Sequence, residues 1–205
     1  YSPNSEPITI DELAQNVQKA DVILVGEWHT HSGIHRFQTE LLQRLLRKNM
    51  TIALSMEQFS RDHQSVIDSY LKGEIGEQTL ITQTDAWPNY PSDYRPLVEL
   101  AKQHQSDIIA ANAPKKIVRC IGQLGIDYLN TLTPTQRSFV AKSISTDSSP
   151  YKNVFMESMH HGDEEQTERQ YAAQISWDET MAESIDRKST RLNSSHSSVS
   201  RMPSS

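Results

Sequence analysis

The chain has 205 residues, a formal net charge of -6 and a hydrophobic content of 36%, enough for one domain with a real core. The acidic balance argues against a nucleic-acid footprint, and no apolar run reaches the roughly eighteen residues a membrane helix needs. The single cysteine, Cys120, excludes an internal disulfide and, in its apolar setting, reads as a core filler.

Residues 1–20 read as a polar arm and a short helix through Leu13, Val17 and Ala20, capped by Thr9 or Asp11. Val22–Gly26 follows. Its four consecutive aliphatics suit a strand buried on both faces. Gly26 ends that run, and Glu27, His29, His31 and His35 come within nine residues of it. Ile34, Phe37, Leu41, Leu42, Leu45 and Leu46 then recur at helical spacing, so a helix runs to about Lys48, with Asn49 as its stop. Thr51–Glu57 reads as a second strand ending on a carboxylate. Ser60 caps a helix carrying Val66, Ile67, Tyr70 and Leu71, which stops at Gly73.

Residues 74–93, with two prolines among aromatic side chains, read as a connection. A helix over 94–104 follows, then a third buried strand, Asp107–Asn112, and a helix opened by Pro114. Thr133–Pro134 starts another helix, 143–151 is loop-like, and 164–185 is a long helical candidate. From residue 186 the chain is serine-rich without apolar periodicity, and is expected to be a disordered, extraneous tail. Strand–helix alternation predicts an α/β domain over 21–185 with a parallel-stranded central sheet flanked by helices. Three strands leave edges unpaired, so the sheet is expected to be incomplete on its C-terminal side.

Three strand ends would carry Glu27 with His29, Glu57 and Asn112. On parallel neighbours they share one rim, where α/β sheets place ligand sites. Carboxylates with an imidazole suit a divalent metal, or an acid–base pair for hydrolysis at Glu27, His29 and Glu57. Both glutamates pairing with basic side chains is the structural alternative. His31 and His35 are four apart and can share a helix face. His160–His161 offers a weaker pair. Tyr90 and Tyr94, beside Trp87, suit a flat apolar cofactor, since phenolate oxygen is an axial ligand of ferric haem; ordinary half-buried packing is the other reading.

Gly26-Glu27-Trp28-His29-Thr30-His31 followed by Met56-Glu57-Gln58-Phe59 resembles the ChaN-like haem-binding family of the Tiki/TraB/erythromycin-esterase group. The likeness continues through Leu71–Glu74, Trp87, Tyr94–Ala101, Ala110–Pro114 and Gln174–Ala182, and spans roughly residues 22–185. The resemblance implies an α/β fold and a haem-binding lipoprotein of the bacterial envelope engaged in iron uptake. It also implies a tyrosine ligand, with histidine nearby, at a homodimer interface. Tyr94 matches that tyrosine, Tyr90 stands second, and His29, His31 or His35 would supply the histidine, with Asn112 on the shared rim. Membrane attachment would come through a lipid anchor outside this chain. The wider group includes metal-dependent hydrolases, whose Gly-x-x-His and glutamate are matched by Gly26–His29 and Glu57. Their second Gly-x-x-His near the C-terminus has no counterpart here.

Overall fold

Thr9 opens the fold: its hydroxyl accepts from the Glu12 backbone N–H while the Glu12 carboxylate accepts from the Thr9 N–H, a reciprocal capping box. The helix it starts, α1, spans Ile10–Asn16. The computed structural model describes residues 4–48, 50–159 and 163–198, with the side chains of 187–198 excepted. The expected stop at Asn49 and the pair His160–His161 lie outside the described residues. The remaining elements are α2 (Ser32–Arg47), β1 (Leu54–Ser60), α3 (Gln64–Leu71), α4 (Glu77–Gln83), α5 (Arg95–Gln103), β2 (Ile108–Asn112), α6 (Lys115–Leu124), α7 (Pro134–Ser138), α8 (Pro150–Ser158) and α9 (Glu164–Ser198). The fold is mixed α/β, mostly helical, with a parallel two-stranded sheet.

The chain divides into two units, Tyr1–Leu54 with Val66–Ile108, and Ser55–Ser65 with Ile109–Ser205. In the first, α2 uses two adjacent stripes. Leu41 and Leu45 pack with Ala14 of α1 and with Ile10, Leu13, Val17 and Ile23. Leu42 and Leu46, one position on, pack with Leu97 and Leu100 of α5. Residues four apart stack on one helix face, so two i,i+4 pairs give one helix two neighbours.

In the second unit α6 lies against α9, with Ile117, Ile121, Val140 and Ala172 at the contact. The buried hydroxyls of α9 are satisfied locally. Ser176 donates to the Ala172 carbonyl and Thr180 to the Ser176 carbonyl, both at 2.6 Å. Thr180 Oγ1 also accepts from the Ala141 N–H at 3.0 Å. Arg61, just after β1, donates to Ser184 Oγ (2.7 Å), Glu183 Oε1 (2.9 Å) and the Thr180 carbonyl (2.7 Å). These hydroxyls and the Arg61 guanidinium therefore have partners, which is the condition for keeping such groups in a core.

Several expectations change. Val22–Gly26 is irregular and not a strand: among the described residues no strand lies alongside it, and a strand exists only through its ladder partners. Only Ile23 reaches the core, while Leu24 is 82% exposed, Val22 45% and Val25 37%. The second strand begins and ends three residues later than its composition suggests. Pairing starts where the Leu54 N–H donates to the Asp107 carbonyl at 2.8 Å, and it runs on to Ser60. Glu57 therefore sits inside β1, not at its end. The connection over 74–93 contains α4, anchored by the fully buried Leu80, and a single π-helical turn over Tyr90–Tyr94. Ser149 caps α8 by accepting from the Lys152 N–H, and Pro150 occupies its first turn, so the loop ends earlier than expected. Helical backbone in α9 continues to Ser198, past the point where the serine-rich sequence suggests an irregular tail.

Candidate functional site

Glu27 is the centre of a buried polar cluster in the first unit. It lies on the irregular stretch before α2, with its side chain 11% exposed. Its Oε1 accepts from the Tyr94 hydroxyl at 2.7 Å and lies 2.8 Å from His29 Nδ1. Its Oε2 accepts from Gln38 Nε2 at 2.8 Å. Burial pushes the carboxyl upward. Hydrogen bonds from Gln38, His29 and Tyr94, together with the charge of His35, outweigh that, and the group sits below the usual carboxylate range. Glu27 is thus an anion, and an anion accepts only, so His29 Nδ1 carries the hydrogen. The lone pair of the neutral ring is then on Nε2.

The His29 side chain is 52% exposed. Its ring stands edge-on to Trp87, with centroids 4.8 Å apart, and Trp87 stands edge-on to Tyr94 at 5.7 Å. The His29 backbone is held as well. Its carbonyl accepts from Asn89 Nδ2 at 2.6 Å and from His35 Nε2 at 3.1 Å. His35 is buried beneath, with its other nitrogen 3.1 Å from Gln38 Oε1. Both neighbours of the His35 ring are acceptors, so its hydrogen bonding is complete only when both nitrogens carry hydrogen. Glu27 Oε2 at 3.7 Å and Asp93 Oδ2 at 3.9 Å lie beside that ring.

His31 and His35 do not share a face. His31 stands outside α2 as its N-cap, with Nδ1 accepting from the Ile34 N–H at 3.3 Å, whereas His35 points inward. Gly33 leaves room for that ring, because a Cβ there would stand 3.0 Å from His31 Cε1 and the imidazole would have to give by a few tenths of an ångström. Tyr94 and Tyr90 are both buried in the π-helical turn. The Tyr94 hydroxyl is occupied by Glu27, and burial pushes the Tyr90 phenol well above its ordinary value.

Glu57 and Asn112 meet on the sheet of the second unit. Asn112 Nδ2 donates to the Glu57 carbonyl at 3.2 Å, and Asn112 Oδ1 accepts from the Ala113 N–H, so the amide ties the end of β2 to β1. Among the described residues no group of three or more histidine, cysteine, aspartate or glutamate side chains is gathered for a metal ion.

Gln38, Asn89 and Asp93 escaped sequence reasoning. Gln38 is one turn beyond His35, and Asn89 is four residues before Asp93. Such spacing is a usable local signal, but nothing local points from either pair to Glu27 or His29.

A family model described as haem-binding uptake, Tiki superfamily, ChaN, matches residues 13–200. The chain belongs to the ChaN family. A solved structure of ChaN from Campylobacter jejuni, described as showing cofacial heme binding, shares the fold with a TM-score of 0.60 and 16% identity. The likeness covers 89% of this chain and 72% of that one. No curated protein matches. The family match runs past Ile185, the last residue of the sequence resemblance.

The chemistry of this ChaN-family site suits haem. A lone-pair nitrogen on an exposed, fixed imidazole is an axial donor for iron. Trp28, the residue before it in the chain, is 76% exposed.

Proposed function

We propose that this protein binds haem, and that His29 Nε2 is the atom it presents to the iron. One observation carries the reading: the Glu27 carboxylate, 2.8 Å from Nδ1, fixes the tautomer and orients the ring. A carboxylate behind an imidazole is the arrangement that prepares histidine as a metal ligand. Bound haem would supply the ferric iron and the apolar macrocycle. Tyr94, the tyrosine that matches the family's ligand, acts through Glu27 in this conformation, since its hydroxyl is buried and donates there.

The wider reading is haem or iron uptake at the bacterial cell envelope by a homodimer held to the membrane through a lipid anchor. The description of the family as haem-binding uptake supports the first part. The cofacial arrangement described for the Campylobacter jejuni protein supports the dimer. No described helix is long and apolar enough to cross a membrane.

Hemin titration tests the core of the proposal. Wild-type protein should shift the Soret band with saturation, and His29→Ala should lose the nitrogen-ligated spectrum. A wild-type protein that leaves the hemin spectrum unchanged rejects haem binding. A His29→Ala spectrum identical to wild type rejects the ligand.

A further inference from the structure

We infer that Asn89 is a positioning residue for His29: its side-chain amide holds the His29 backbone so that the imidazole faces outward at a fixed angle. The inference rests on the reading of His29 as the iron-facing group. It adds a residue that neither the sequence motifs nor the family match points to.

The amide of Asn89 has an unambiguous orientation. Nδ2 lies 2.6 Å from the His29 carbonyl and 2.8 Å from Asp93 Oδ2. Both neighbours only accept, so the group at that place must be the NH2, with each hydrogen committed. A flipped amide would set its oxygen against two acceptors. Asp93 is itself held, because its backbone N–H donates to the Asn89 carbonyl at 3.0 Å within the π-helical turn. The clamp is therefore a closed unit, with Asp93 fixing Asn89 and Asn89 fixing His29.

The target is what makes this more than a loop contact. Asn89 and His29 are 60 residues apart in sequence. The contact bonds a backbone carbonyl, so it restrains the main chain rather than the ring. The ring is restrained separately, by Glu27 at Nδ1 and by the edge of Trp87. An exposed side chain normally samples several rotamers. Here the residue is fixed at its carbonyl, at one ring nitrogen and on one flank, while its side chain stays 52% exposed. That economy suits a ligand that must meet iron along a set direction, since loss of such outer contacts costs about 10- to 100-fold in metal affinity.

The test separates this inference from the haem reading. In haem-free protein, NMR should show a slowly exchanging Nδ1 hydrogen on His29. Asn89→Ala and the similarly sized Asn89→Leu should broaden it while circular dichroism and Tm stay near wild type. With hemin, both variants should still bind, about tenfold more weakly and with a mixed-spin spectrum, whereas His29→Ala loses the nitrogen signature. Should the variants fold poorly, the Asn89 side-chain hydrogens of the wild-type protein give the answer. They should shift on addition of gallium protoporphyrin, a diamagnetic stand-in. Asn89 variants with the wild-type His29 resonance, affinity and spectrum overturn the inference even if haem binds. Asn89 hydrogens indifferent to gallium protoporphyrin overturn it too. Failure of wild type to bind hemin rejects the haem reading, while an Nδ1 hydrogen that depends on Asn89 would still establish the clamp.

Discussion

Tyr94 donates to Glu27 across 67 residues of sequence, at 2.7 Å, in a place where the tyrosine is fully buried. A hydrogen bond to a charged acceptor away from water is worth more than a neutral one. Tyr94→Phe keeps the ring against His35 and Trp87 and removes only the hydroxyl. The expected loss is about 2 kcal/mol, read from urea midpoints at unchanged m-value. A loss under about 0.5 kcal/mol would mean that the bond is exchanged for water at no net cost.

Stability should depend on acid through Glu27. Its carboxyl is held below the reference value of 4.5, so the folded state binds the proton less tightly than the unfolded chain. The resulting contribution is complete above that reference and disappears as pH falls through the lower folded value. Glu27→Gln should flatten this part of the stability profile between neutral pH and pH 3. A profile with the same slope in wild type and variant would place the acid sensitivity elsewhere.

Arg61 is 9% exposed in its side chain and reaches three acceptors on α9. Arg61→Met fills much of the volume but leaves Glu183 without its guanidinium, and removing one partner of a buried pair costs about 3 kcal/mol or more. Chemical denaturation with tryptophan fluorescence gives the number. A variant as stable as wild type would show that the aliphatic stem, not the charge, matters at this position.

Leu24 offers the opposite case. It belongs to the most apolar run near the start of the chain, yet it is 82% exposed. Leu24→Lys should change stability by no more than about 0.5 kcal/mol, as surface substitutions do. A loss above about 2 kcal/mol would restore the buried strand that the composition suggests.

What could be read in advance was local. The helix cap at Thr9, read as one of two candidates with Asp11, the helical stripes of α2 and α5, the strand at 108–112 and the proline starts of α6 and α7 each depend on neighbours within a few residues. The stretch Val22–Gly26 misled because aliphatic composition reports willingness to pair, whereas pairing itself needs a second strand. Helix α4 was hidden by its polar surface, with Leu80 as its one buried anchor. Glu27, His29, His35 and Tyr94 were legible as chemically able residues, and the structure brings these four together. Their arrangement was not legible, because Gln38, Asn89 and Asp93 decide it through contacts that no periodicity encodes.

The span between Arg61 and its acceptors, 119 to 123 residues, also bears on how the chain is made. While synthesis proceeds, the guanidinium beside β1 emerges long before Thr180, Glu183 and Ser184 do, and it stays hydrated until they leave the ribosome. The second unit therefore closes only after residues 180–184 have emerged. A nascent chain halted before residue 180 would carry β1 and β2 without that final latch.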